Sequence, residues 1–80
     1  GDVYKRQYIN IMKVGQVITI IPSVALAELR LNDLIGRKGT LVEEDLLPKH
    51  LGWWVALEGE QYLGETEWFI PLNSIQSWKQ

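Results

Sequence analysis

His50 is the single histidine of an 80-residue chain that has no cysteine. Acid-base or metal chemistry near neutral pH would therefore have to be built from it and from carboxylates. It stands in the segment DLLPKHLG beside Lys49, with nothing spaced around it to complete a site, and it reads as an exposed loop residue. Ser23, Ser74 and Ser77 could act as nucleophiles only beside a base, and the chain carries neither a GxSxG nor an SxxK pattern. The run Glu43, Glu44, Asp45 and the later Glu58, Glu60, Glu65 and Glu67 lack the alternating Asp/Asn spacing and the glycine of a calcium loop. They read as solvated carboxylates at strand ends. These residues predict no enzyme, no metal site and no cofactor.

Recognition is the remaining kind of chemistry, and charge and aromatics bear on it differently. Arg30, Arg37 and Lys38 form the basic grouping, the feature that would let the chain touch a nucleic-acid backbone. From Glu43 to Glu67, however, seven acids stand against Lys49 alone. Phosphate binding draws its affinity from clustered lysines and arginines that release counterions, so this surface disfavours nucleic acid over most of its area. The aromatic content is high for the length, with four tryptophans, three tyrosines and one phenylalanine, and exposed aromatic clusters tend to mark sites of protein contact.

The elements that must position these residues are short strands. KVGQVITIIP from Lys13 is β-branched and closed by Pro22, and predicts a strand of about eight residues. SVALAELRLND reads as a long loop with a helical turn that Ser23 could cap. LIGRKGTLVEED sets Gly36 and Gly39 three apart before a strand at about residues 38 to 44, and at least one of the two glycines is expected to have a positive φ. DLLPKHLG is a connector around Pro48. GWWVALEG and ETEWFIP read as an antiparallel hairpin across a loop of about six residues, PLNS as a 3-10 turn, and IQSWK as a short closing strand.

Alternation along a strand forbids Trp53 and Trp54 from facing the same way. Parity with Val55 and Leu57 turns Trp53 inward, and parity with Ile70 turns Trp68 inward on the returning strand. One register satisfies both: Trp53 opposite Ile70, Val55 opposite Trp68 and Leu57 opposite Thr66, with Trp54 opposite Phe69 on the outer face.

Length allows one domain and one core. No apolar run approaches the roughly 18 to 20 residues of a membrane span, and the absence of cysteine fits a reducing, cytoplasmic setting. Met12 reads as a start, with residues 1–11 a flexible leader derived from cloning or sequence assembly and residues 12–80 the domain. The alternative is a genuine N-terminal arm that Tyr8, Ile9 and Ile11 could make into a strand. Without residues 1–11 the balance is six basic against nine acidic residues, a net charge of −3.

Taken together these segments predict an all-β, small five-stranded barrel with a long loop after strand one and a 3-10 turn before the last strand, closure being an economical way to hide strand edges. The order of motifs resembles an SH3-like barrel. ALAEL at 25–29 resembles the ALYDY segment of eukaryotic SH3 domains, DLIGRKG at 33–39 the end of their long acidic loop, and Trp53-Trp54 with FIPLNSI at 69–75 their tryptophan pair and terminal IPxNYV. On that resemblance Trp53, Phe69, Pro71 and Asn73 match the ligand-groove pattern. Ala27, Leu29 and Ser74 stand where the family carries groove tyrosines, which leaves the proline-rich peptide groove incomplete. The segment Gly36 to Val42 equally resembles the glycine-turn-strand signature of KOW-type barrels, and bacterial SH3 domains share a GWW-like strand.

The resemblance to one barrel through three branches implies a fold more than a function. Two functions follow as expectations. One is a non-catalytic module that binds a protein or peptide through Trp54 and Phe69, with Trp53, Pro71 and Asn73 beside them. The other is a KOW-like accessory that contacts RNA through Arg30, Arg37 and Lys38. Neither involves a membrane, and the oligomeric state stays open.

Overall fold

The computed structural model describes residues 12–46 and 51–77. The expected leader at residues 1–11, the connector residues Pro48, Lys49 and His50, and Trp78 lie outside the described residues. Among the described residues the chain is all-β, with five antiparallel strands: β1 (Val17–Ile20), β2 (Lys38–Leu46), β3 (Leu51–Leu57), β4 (Glu67–Pro71) and β5 (Ile75–Ser77). They form one sheet in the order β4-β3-β2-β1-β5. Among the described residues no helix is long and apolar enough to cross a membrane.

β1 is half the length expected from Lys13. The segment before it is a turn, with Gly15 at φ +92° and the Gln16 N–H donating to the Lys13 carbonyl at 3.1 Å. Within β1 the two isoleucines, Ile18 and Ile20, are fully buried while Val17 and Thr19 are half-buried, the period-two pattern of a strand covered mainly on one face.

The long excursion after β1 holds one short helix, α1 (Val24–Glu28), and a 3-10 turn at Asn32–Leu34. Ser23 caps α1, its Oγ accepting from the Leu26 N–H at 3.0 Å. The helix stops at Arg30, which takes a left-handed φ of 61°. Its N–H donates to the Ala27 carbonyl at 3.0 Å and that of Leu31 to the Leu26 carbonyl at 3.2 Å, the paired bonds of a Schellman motif, with Leu26 and Leu31 buried beneath it. The chain then rejoins β1 through Gly36, whose φ is +91° and whose N–H donates to the Ile20 carbonyl at 2.7 Å. The expectation of a positive φ at one of the two glycines is met there. Gly39 serves differently: a Cβ would drive into Val55 Cγ1 and come within 2.8 Å of the Ala56 carbonyl oxygen, so the absence of a side chain lets β2 and β3 pack this closely.

β2 runs two residues further than expected, and β3 begins at Leu51. The expected connector is therefore shorter: Asp45 pairs with Gly52 and Leu46 with Leu51 in the ladder. The pairing slips between Leu41 and Glu43, which makes Val42 the extra residue of a bulge. The β3-β4 register is the one that alternation dictates, with Trp53 opposite Ile70, Trp54 opposite Phe69 and Val55 opposite Trp68. The Leu57 N–H donates to the Thr66 carbonyl at 2.8 Å, extending the same register by one pair.

The β3-β4 connection is tighter at its tip than a six-residue loop. Tyr62 and Glu65 bridge by reciprocal backbone bonds of 3.0 Å around Leu63 (φ 52°) and Gly64 (φ 84°). Two consecutive positive φ values are the signature of a type I′ turn. Pro71 closes β4, Leu72–Ser74 forms the expected 3-10 turn, and β5 returns to pair with β1 through Ile20 opposite Ile75. The core gathers Ile18, Ile20, Leu26, Leu34, Leu41, Val55 and Ile70 around Trp53, with Leu29, Tyr62 and Trp68 packed against its margin.

Candidate aromatic binding face

β3 separates its adjacent tryptophans as parity requires. Trp53 is 6% exposed and belongs to the core, while Trp54 is 36% exposed on the opposite face. Across the ladder Trp54 meets Phe69 edge-to-face, their ring centroids 6.0 Å apart at 68°. Phe69 is half-buried because its ring lies over Gly52, where a Cβ would stand 2.8 Å from Cζ. Gly52 thus leaves the space that the tip of the phenyl ring occupies over β3.

The indole of Trp54 is held from the other side too. Its Nε1–H donates to Asp45 Oδ2 at 3.0 Å, and Glu43 is its direct cross-strand partner on β2. Both carboxylates reach this face through the Val42 bulge. Continuing the Leu41–Val55 pairing without it would set Val42 opposite Trp54 and turn Glu43 and Asp45 to the other side. On β4 Glu67, opposite Ala56, lies diagonal to Trp54. The face is thus two aromatic rings bordered by Glu43, Asp45 and Glu67. Asp45 is the functional neighbour that the sequence concealed, because a bulge cannot be read from alternation.

Of the remaining expected site residues, Pro71 shares the face of this pair, two residues beyond Phe69, and Trp53 does not. Trp53 points into the core, Pro71 is buried against Gly52 at the end of β4, and Asn73 is exposed in the 3-10 turn beyond it. The groove pattern of Trp53, Phe69, Pro71 and Asn73 is divided between the two sides of the sheet by the inward turn of Trp53.

The basic grouping is partly committed to structure. The Arg37 guanidinium donates from Nη2 to the Glu58 carbonyl at 2.9 Å and also to the Glu60 carbonyl, which ties the excursion after β1 to the β3-β4 connection. Arg30 is exposed, and its backbone is the left-handed residue that ends α1. Lys38 is exposed at the start of β2, where its carbonyl accepts from the Glu58 N–H at 2.9 Å.

A second polar contact outside the expected set joins the same two regions. The Tyr62 hydroxyl donates to Asp33 Oδ2 at 3.1 Å, and its ring meets Trp68 edge-to-face with centroids 5.4 Å apart. The Asp33 acceptor, then partial burial, then the Asp33 charge hold the Tyr62 hydroxyl above the usual tyrosine range.

Comparison with known proteins adds no relative to this description: no family model, no curated protein and no solved structure matches the chain.

Proposed function

We propose that this chain is a non-catalytic interaction module, built as an SH3-like barrel, that binds a segment of a protein partner on the outer face carrying Trp54 and Phe69. The barrel reading draws support from the strand order, the long excursion after β1 and the 3-10 turn before β5. The binding reading rests on one observation: Trp54 is exposed yet held in place, its ring edge-to-face with Phe69 and its N–H donated to Asp45. A large aromatic surface that is already ordered loses little side-chain freedom when a partner covers it, which is what makes tryptophan a frequent energetic centre of interfaces. The engagement of Arg37 with two backbone carbonyls counts against the RNA-binding alternative.

The test compares immobilised wild-type chain with Trp54→Ala in capture of proteins from the source lysate, alongside filter binding to single- and double-stranded RNA at low salt. The expected result is a protein retained by the wild type and lost by the variant, with melting temperatures within a few degrees. Tight RNA binding with a steep salt dependence, unchanged by Trp54→Ala, would overturn the reading.

A further inference from the structure

The partner's chemistry can be taken one step further from the charges that surround the rings. This step rests on the outer face being the binding site. Among the described residues of that face, Glu43 is directly opposite Trp54, Asp45 is bonded to its indole, and Glu67 is diagonal to it on β4. Directly opposed side chains on a ladder stand about 4.5 to 5.5 Å apart at Cβ and diagonal ones about 7 to 8 Å, so the carboxylates lie within one side chain's reach of the ring. Lys38 shares the face near the start of β2, four β3 residues along from Trp54, where its carbonyl meets the Glu58 N–H. At about 3.3 Å per residue its backbone is roughly 13 Å along the strand from that of Trp54, so it borders the face at the far end from the carboxylates of β2.

An apolar partner would have to strip water from these carboxylates without replacing it, and an acidic partner would be repelled. A cation satisfies both components of the face at once. It can lie over the indole, attracted by the ring's negative face, while its N–H groups reach a flanking carboxylate. Arginine suits this better than lysine, since its planar guanidinium stacks on a ring and pairs with a carboxylate through two parallel bonds. The Asp45 bond fixes the indole plane in advance and leaves Glu43 and Glu67 to meet the guanidinium.

We propose that the outer face of β2, β3 and β4 docks an arginine-bearing peptide segment of a partner protein, with a guanidinium seated on Trp54 between Glu43 and Glu67 and a neighbouring apolar side chain resting on Phe69.

The experiment titrates the full 80-residue chain, labelled with nitrogen-15, with a blocked hexapeptide of alternating arginine and leucine, with the same peptide carrying glutamine for arginine, and with an oligouridylate. The amide and indole N–H signals are followed by NMR. The arginine peptide is expected to move the Trp54 indole signal and the amides of Glu43, Glu67 and Phe69. Its affinity is expected to fall about tenfold in E43Q/E67Q, whose melting temperature checks the fold, and to fall again as salt is raised. Equal binding of the glutamine peptide with the same signals moving would overturn the arginine assignment and leave the binding face standing. Shifts centred elsewhere, or none at millimolar peptide, would overturn both. Movement of the Trp54 indole by the oligouridylate in place of the peptide would give the face to nucleic acid.

Discussion

The hydroxyl of Ser74, fully buried, lies 2.6 Å from that of Ser23. This contact joins the cap of α1 to the 3-10 turn before β5, two segments 51 residues apart, and the Ile21 N–H adds a bond of 2.8 Å to the Ser74 carbonyl. Ser74 is the position at which the SH3 resemblance expects a groove tyrosine; here a small hydroxyl is turned inward and used to hold the fold. Ser23→Ala removes the helix cap, worth about 1 kcal/mol, and also leaves the buried Ser74 hydroxyl without its partner, for about 1 to 3 kcal/mol more. Ser74→Ala leaves the cap in place and is expected to cost less. Urea unfolding of the two variants checks the order, and equal costs would mean that the cap contributes nothing.

Trp53 and Trp54 are neighbours in sequence with opposite duties. Trp53→Ala deletes a core side chain that is 6% exposed, and is expected to cost roughly 3 to 5 kcal/mol. Trp54→Ala empties no part of the core; it gives up the edge contact with Phe69 and the exposed bond to Asp45, and is expected to cost about 1 kcal/mol, well below Trp53→Ala. Comparable losses in chemical denaturation would show that the outer ring is part of the packing.

Leu63 places a branched apolar side chain, 75% exposed, at a left-handed position of the hairpin tip. A type I′ turn favours asparagine there, since the left-handed region costs an ordinary residue about 1 to 2 kcal/mol. Leu63→Asn is expected to stabilise the chain by about 1 kcal/mol and to raise the urea midpoint with an unchanged slope. A lower midpoint would reveal a contact made by the leucine.

The Tyr62 hydroxyl donates to Asp33 and is therefore bonded only while it is protonated. Its ionisation is raised in the folded chain, so the contribution is fully present below the range in which an unfolded tyrosine ionises and is lost as pH rises through the folded value. Alkaline unfolding should therefore steepen above the ordinary tyrosine range, and Tyr62→Phe should lower stability at neutral pH, where the bond is intact, and flatten that alkaline limb. Identical alkaline curves for the two proteins would rule the bond out as a contributor.

Much of the scaffold was legible because strand parity is a local rule. The opposed faces of Trp53 and Trp54, the hairpin register and the glycine turn at Gly36 each follow from residues within one short segment. The length of β1 was not legible, since Lys13 and Val14 fit a strand by composition and Gly15 turned them out of it. Nor were the roles of Arg37 and Tyr62, whose partners Glu58, Glu60 and Asp33 lie 21 to 29 residues away.

The sequence by itself determined an all-β chain and the outward aromatic pair of Trp54 and Phe69, because alternation ties each side chain's direction to that of its neighbours. The tertiary structure decided what surrounds the pair. One extra residue at Val42 shifts β2 against β3 and turns Glu43 and Asp45 toward Trp54. A bulge is chosen by how two strands curve and pack against each other, not by the residues of one strand read alone, so the acidic border of the aromatic face exists only once the sheet has formed.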